Sequence, residues 1–580
     1  MIMKKRNHVE RPAGVRLIAG MLSAALTSSL FMFPGIALAT IEGDQTPLSD
    51  EEIEAAIAAG EIEIEPDDGA SAYGIQTMSS SFFETYSGAD RYEVAAMEAR
   101  AAYQTSTRAI VAGGEGWADA LGAAGLAGVY DCPILLTEWG SLNSYASDAL
   151  RSLGVTSVTI VGGPDTVSTN VEGQLSSMGI AVERIGGEDR YEVQTNIYSK
   201  ALDSWSGGRI ILASGVNYPD ALSISPVSFQ EKNPIFLVDA NGGLNSYQKQ
   251  LIESAAQSGK ISEVIIAGGP NSVSSATEAY AKSVVGAGGS AMSVTRLGGA
   301  DRYEASRSIA NWAVQKGILS WDGVALAMGD KPYDALCGSV LQGKRGSAML
   351  IVSSNAANNT HPYGALRDNA GSISTLRVFG GKVSIPMTIR MDVADIFGIP
   401  YYEIPGLKVY VDAGHGWNDS NNGAYDPGAI GSGYREADLT KDLANRVASI
   451  LESQYGVETF VNDDGGWYKL RHAEAKANGC DLIVSIHFNA GGGSGTETYI
   501  HSVRAAARSG SLQDAIHPRL VAGTALTDRG QHEGMLAILS GDLPAVLCEI
   551  AFIDNANDMR TYLARRDIIA AEIAEGAVNR

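Results

Sequence analysis

Short runs of valine, isoleucine and leucine recur along this chain, separated by longer stretches in which apolar and polar residues mix. "PILLT" at 133–137, "PIFLV" at 234–238 and "AMLIV" at 348–352 are three such runs. Strands this short and this continuously apolar are buried on both faces, and the mixed stretches between them predict amphipathic helices. The pattern therefore predicts largely parallel sheets covered by helices. Nearer the carboxyl end, "LKVYVDAGHG" (407–416), "CDLIVSIHFNAGGG" (480–493) and "LPAVLCEIAFIDN" (543–555) read as three more buried strands, two of them running into glycine turns. "READLTKDLANRVASILE" (435–452) predicts a helix with Leu439, Leu443, Val447, Ile450 and Leu451 on one face.

The pattern repeats. "SGADRYEVA" at 87, "GGEDRYEVQ" at 186 and "GGADRYEAS" at 298 are one phrase, with Asp90, Asp189 and Asp301 spaced 99 and 112 residues apart. Each is followed by "GWADAL", "NYPDAL" or "KPYDAL", then by an apolar strand, then by a second strand with a Gly-Gly turn: "VTIVGGPDTVS", "VIIAGGPNSVS" and "LRVFGGKVSI". Four phrases in one order, three times, define three copies of one unit. Asp-Arg-Tyr-Glu reads as a capping box, Asp at the N-cap and Glu three residues on. The units hold almost no histidine and no paired nucleophile and base, so they read as a binding or scaffold array. Arg91, Arg190 and Arg302 are recurring cations suited either to phosphate or carboxylate ligands or to fixing the fold.

Length and charge add limits. A chain of 580 residues exceeds one core and suggests several domains. Its formal net charge of −23 argues against bulk attraction to nucleic acid or an anionic surface, so any polyanion must be met by local cations. Lys4, Lys5, Arg6, Arg11 and Arg16 precede the apolar "LIAGMLSAALTSSLFMF", and Ala37-Leu38-Ala39 offers small residues for cleavage, which predicts a secretory signal over 1–39. Residues 40–81 form an acidic stretch expected to be a disordered spacer. No later run is long and apolar enough to span a membrane. Cys132, Cys337, Cys480 and Cys548 are far apart in apolar contexts and read as buried free thiols.

The chemistry concentrates late. Six of the eight histidines lie from His415 onward, and more than 300 residues before that point hold only His361. His415 follows the first predicted strand of this region and His487 ends the second. Glu549 lies on the third, and Glu436 opens the helix. Polar groups at strand ends of an open α/β sheet converge on one crevice. Two imidazoles and a carboxylate suit a catalytic zinc ion with one position left for water, and a further carboxylate can serve as base. On the residues alone, such a metal site and a mere hydrogen-bonded cluster both remain open. His472, His501, His517 and His532 are expected on the surface.

Two resemblances sharpen this reading. The ordered Asp-Arg-Tyr, Asp-Ala-Leu, "PILL" and "VGGP" phrases over residues 82 to about 398 resemble the type 2 cell-wall-binding repeats of secreted bacterial proteins. That resemblance implies three tandem repeats packed as a trio and held on the wall through an anionic secondary polymer. It also ties an Ile-Leu-Leu stretch to polymer binding, intact here only as Ile134, Leu135 and Leu136. "VDAGHG", "DPGAIG", "READLT", "LRHAEAKAN", "SIHFNA", "GTETYI", "DRG" and "PAVLCEIAFIDN" resemble, in order, the zinc-dependent N-acetylmuramoyl-L-alanine amidases. Carried over by motif, the zinc ligands fall on His415, Glu436 and His487, the catalytic glutamate on Glu549, and a cleft-flanking arginine on Arg529. Two segments depart from that family's pattern, "WNDSNNGAY" inserted after His415 and "VNDDGGWYKLR" in place of a Thr-Arg pair, and "EIAF" has Ala551 where the family prefers glycine before phenylalanine.

The expected organisation is therefore an α/β chain: signal 1–39, spacer 40–81, repeats over 82–181, 182–293 and 294–400, and an α/β zinc amidase domain with a mostly parallel sheet over 401–580. The expected activity is zinc-assisted hydrolysis of the amide between N-acetylmuramic acid and L-alanine of the stem peptide, by a protein secreted to the bacterial wall with peptidoglycan as substrate. A surface adhesin with an inert terminal domain and a zinc peptidase acting on the stem peptide are the alternatives. A turbidity assay on walls separates the first, and mass spectrometry of digests the second.

Overall fold

The computed structural model describes residues 82–463 and 465–579; the expected signal and the acidic spacer lie outside the described residues. The chain divides into two compact units whose junction falls at Leu407/Lys408, rather than at 401 where the repeat phrases stop. The intervening residues belong to the first unit because Ile404 and Leu407 are buried and the Tyr401 hydroxyl donates to Asp395 at 2.8 Å.

The first unit contains three four-stranded sheets. One orders Ile134–Thr137, Arg108–Gly113, Ser157–Val161 and Ala181–Ile185; the next orders Ile235–Val238, Arg209–Ser214, Glu263–Ala267 and Ser293–Leu297. Every pairing in them is parallel, as the apolar runs predict. The third sheet takes its edge strand from the other end of the unit: Phe83–Tyr86 pairs in parallel with Leu376–Phe379, beside Ser320–Met328 and Ser347–Val352. Each sheet is thus completed by the strand preceding an Asp-Arg-Tyr phrase. The boundaries expected at 181/182 and 293/294 fall inside the strands Ala181–Ile185 and Ser293–Leu297, which belong to the sheet before them.

The repeated phrases meet in space. Asp119, Asp220 and Asp334 lie against Gly162, Gly268 and Gly380, where an added Cβ would come within 2.6, 2.3 and 2.7 Å of the aspartate Oδ2. Those glycines sit at φ of +116°, +107° and +111°, so side chains are excluded twice over. The helices that follow, Ala124–Tyr130, Pro219–Glu231 and Gly338–Arg345, pack on one another. Their close approach needs glycine, because a Cβ on Gly125 or Gly128 would strike the carbonyls of Asn233 or Phe229 at 2.2 and 2.1 Å. One hydrophobic core runs through residues of all three repeats.

Asp90, Asp189 and Asp301 cap their helices, each accepting from two backbone amides at 2.8–2.9 Å. The glutamate of the expected capping box reaches one residue further back, to the amides of Ala89, Glu188 and Ala300, each at 2.6 Å. Arg91, Arg190 and Arg302 donate to the carbonyls of Gly114, Gly215 and Gly329, and Arg91 covers the Tyr333 ring at 3.6 Å. These arginines hold main chain in place. Ile134, Leu135 and Leu136 are fully buried, so their side chains form core and not a contact surface.

The second unit holds a six-stranded sheet in the order Glu458–Asn462, Lys408–Ala413, Leu482–Asn489, Ala545–Phe552, Thr496–His501, Asp528–Gly534. Only the pairing of Thr496–His501 with Ala545–Phe552 is antiparallel. The helix Glu436–Tyr455 covers one face through Leu439, Leu443, Val447 and Leu451. Ile450 falls at the margin of that stripe and is only half-buried; the small Ala444 and Ala448 fill the contact instead. All four cysteines are buried and none forms a disulfide among the described residues. Among the described residues no helix is long and apolar enough to cross a membrane.

Candidate metal centre

The strand Lys408–Ala413 ends at Gly414, and His415 follows in the left-handed region at φ +70°. Such a conformation costs a non-glycine residue about 1–2 kcal/mol and needs support from its surroundings. Arg471 supplies it. Fully buried, this guanidinium donates to the carbonyls of Ala413 and His415 at 2.8 Å each and to the carboxylates of Asp412 and Asp419 at 2.7 and 2.8 Å. Thr440 adds a bond to the Gly414 carbonyl at 2.8 Å.

His487 lies two residues before the end of the neighbouring strand, Leu482–Asn489, its ring centroid 5.1 Å from that of His415. Gly414 lets it in: a Cβ there would stand 2.3–2.6 Å from the His487 imidazole. Glu436, buried as the first residue of its helix, lies between the two rings. One carboxylate oxygen is 3.0 Å from His487 Nδ1 and accepts from the Phe488 amide at 2.9 Å. The other is 3.2 Å from His415 Nε2 and accepts from the Ala429 amide at 2.9 Å. Asp426 lies 3.1 Å from the remaining His415 nitrogen, Nδ1.

One ligand atom from each of His415, Glu436 and His487 falls within 4.8 Å of the other two. The electrostatics of the trio call for a cation. Burial works against charge on all three, yet bonds to the two histidines hold the Glu436 carboxyl well below the usual carboxylate range. Burial likewise opposes charge on His415, but Glu436 and Asp426 raise it to about 9; Glu436 and Glu549 raise His487. A set of donors that gathers protons so strongly is one a divalent ion fits.

Glu549 faces the same cluster from the next strand, where it is the register partner of His487 on one side and of Glu497 on the other. Its Oε2 is buried with no hydrogen-bond partner among the described residues. Burial first, and then the charges of Glu436 and Glu497, push its pKa up to about 7 against the pull of both histidines. The structure thus brings all four residues singled out in the sequence to one place.

Glu497, given no role by the sequence, and Arg529, expected to flank the cleft, complete the surroundings. Glu497, in "GTETYI", is buried and accepts from Asn489 at 2.5 Å, from the Tyr499 hydroxyl at 3.1 Å and from Arg529 Nε at 2.8 Å. Arg529 also lies over the Phe552 ring at 4.8 Å. Alternation along the strand, polar Glu497 between two buried threonines, was the available signal.

Three of the four histidines expected on the surface are buried. His517 bridges Thr498 and Asp528 at 3.0 and 2.9 Å, His501 accepts the Val503 and Arg504 amides, and His472 contacts the Leu543 amide at 3.2 Å. Each satisfies a turn or strand end, which a polar sequence context does not reveal. His532 is half-exposed.

Fold and site together define the class: an array of α/β repeats followed by an α/β domain with a candidate metal centre at its strand ends. The family described as N-acetylmuramoyl-L-alanine amidase matches residues 409–579, and cell wall binding domain 2 matches residues 85–172, 184–278 and 296–390. The chain thus carries an N-acetylmuramoyl-L-alanine amidase family domain at its carboxyl end, preceded by three cell wall binding repeats. It is 29% identical over 502 residues to N-acetylmuramoyl-L-alanine amidase LytC of Bacillus subtilis, covering 85% of this chain and 93% of that protein. It is also 36% identical over 160 residues to the uncharacterized protein YqiI of the same organism, covering 27% of this chain and 74% of that one. Among solved structures, Cwp6 from Clostridium difficile matches with 21% identity and a TM-score of 0.47 over 92% of this chain and 86% of that one.

Proposed function

We propose that this protein is a secreted, wall-tethered peptidoglycan hydrolase that cleaves the amide between N-acetylmuramic acid and the L-alanine of the stem peptide. His415, Glu436 and His487 would hold a zinc ion, with Glu549 as the catalytic acid and base. The observation that carries this reading is the convergence of three ligand atoms within 4.8 Å beside a buried carboxylate oxygen with no hydrogen-bond partner among the described residues. When bound, zinc would polarise the scissile carbonyl and lower the pKa of a water beside it.

The chain's own groups do the rest. Asp426 accepts a hydrogen bond from His415 Nδ1–H and so leaves the Nε2 lone pair to face the metal. The Phe488 and Ala429 amides fix both oxygens of Glu436. Glu549, its pKa pushed up to about 7 by burial, takes a proton from the attacking water on Oε2 and returns it to the departing alanine nitrogen. Arg529 neutralises Glu497, which keeps a second carboxylate from competing beside Glu549.

The three repeats place this domain at its polymeric substrate, where tethering raises local substrate concentration. An anionic secondary wall polymer is the proposed partner of the repeats. The test is mass spectrometry of wall digests with and without a chelator. Intact stem peptides with a free L-alanine amino terminus, released only without chelator, support the reading. Shortened stem peptides would instead indicate a peptidase, and unchanged walls an inert domain.

A further inference from the structure

The two segments that depart from the amidase family's pattern pack against each other beside His415. The insertion after His415 forms a hairpin in which Gly416–Trp417 pairs with Tyr425–Asp426. Trp417 in turn makes a bridge to Gly465, in the replaced segment. The Gly466 amide donates to the Trp417 carbonyl at 2.6 Å and the Tyr468 amide to the Asp419 carbonyl at 3.1 Å. Gly465 is required for this approach, because a Cβ there would stand 2.2 Å from the Trp417 carbonyl oxygen. Asp419, inside the insertion, is clamped by Arg471 from the end of the replaced segment. The insertion is therefore fixed at both of its shoulders.

That fixed hairpin carries an exposed indole. Trp417 retains 61% of its surface, and Tyr425 packs on it edge to face at a centroid distance of 5.2 Å. Together the two rings border a cavity of about 540 Å³ that also reaches His415, Arg435, Asp438 and Lys441. Its charges are already matched: Arg435 pairs with Asp438 at 2.7 Å and Lys441 with Asp463 at 3.5 Å. An aromatic wall with internally neutralised polar groups suits an uncharged, hydroxylated ligand, not a peptide bearing free carboxylates.

We infer that this cavity is a glycan subsite, in which Trp417 stacks on a sugar ring of the strand that bears the scissile amide. The inference rests on the proposed amidase reaction. In that substrate a short lactyl ether ties the scissile carbonyl to the muramic acid ring, so a sugar must lie within a few bonds of the residues that hold the carbonyl. His415 is both a member of the metal-binding trio and a wall of the cavity, which puts an aromatic platform at that short range. Because its backbone is pinned from two sides, Trp417 meets the sugar with little ordering cost.

The test compares two soluble substrates, a disaccharide tripeptide and the matching lactoyl tripeptide without sugars, in the wild-type protein and in Trp417→Ala and Trp417→Phe. The indole is exposed, so neither change should disturb folding. On the disaccharide, Trp417→Ala should raise KM about tenfold with kcat little changed, and Trp417→Phe should recover part of the loss. On the lactoyl tripeptide all three proteins should be alike. Equal losses on both substrates, or none on either, would overturn the subsite. A wild-type protein that cleaves neither at the lactyl amide would instead refute the amidase reading itself.

Discussion

His487 and Glu549 stand opposite each other on adjacent parallel strands, although 62 residues separate them along the chain. Sheet register, not sequence proximity, brings a candidate ligand and a candidate base into one pocket, and the same register puts Glu497 on the far side of Glu549.

Glu549→Gln should lower amide cleavage by about 10²–10⁴-fold while zinc content and wall binding stay unchanged. Turnover measured on purified walls, with metal analysis of the same sample, checks this. Retained turnover would show that the base lies elsewhere.

The same substitution carries a pH signature in the metal-free protein. Burial raises the folded-state pKa of Glu549 from 4.5 to about 7. The stability linked to its neutral form is thus fully present below pH 4.5 and is lost as pH rises through 7. Glu549→Gln should therefore gain stability over the wild type between pH 4.5 and 8, by an amount on the order of 3 kcal/mol. Denaturant melts in chelator at both ends of that range would detect it.

Gly414→Ala adds a methyl group where 2.3 Å is available to the His487 ring. Since Gly414 is not at positive φ, the collision is the main effect. Zinc affinity should fall at least tenfold in a chelator competition, with the far-UV spectrum of the domain preserved.

Asp426→Asn removes the anionic partner of His415 Nδ1. Partners of this kind contribute about 10–100-fold to metal affinity. Titration calorimetry should show a loss in that range; unchanged affinity would mean that Arg471 and the backbone alone orient the ring.

Deleting the chain through Tyr86 removes the edge strand that pairs with Leu376–Phe379 and separates Phe82 from Phe397, whose rings lie 4.7 Å apart. The last repeat loses one of its four strands. Binding to purified walls should drop sharply, and the repeat unit should melt at lower temperature, whereas soluble muropeptide cleavage should persist because the site residues all lie beyond Leu407.

Much of this was legible along the chain. The thrice-repeated phrases, the buried strands and the amphipathic helix Glu436–Tyr455 follow from local apolar period and from residues with special backbone needs, such as Gly162, Gly268 and Gly380. His415 and Glu436 were visible because they follow a strand and open a helix, and His487 and Glu549 because they are polar interruptions within otherwise apolar strands. His472, His501 and His517 were misjudged, since nothing in a polar context tells a solvated imidazole from one buried to satisfy a turn.

The sequence by itself determined which segments become strands and helices, that three copies of one unit precede a different one, and which polar side chains end the strands of the last. Those properties depend on neighbours a few residues away. Only the tertiary structure decided that Phe83–Tyr86 completes the sheet of the third repeat, that Arg471 props His415 and anchors the insertion, and that Glu549 lies beside His487 with a bare carboxylate oxygen. Strand order, register and the burial of charge arise from contacts between distant segments, whose free energy no local pattern records.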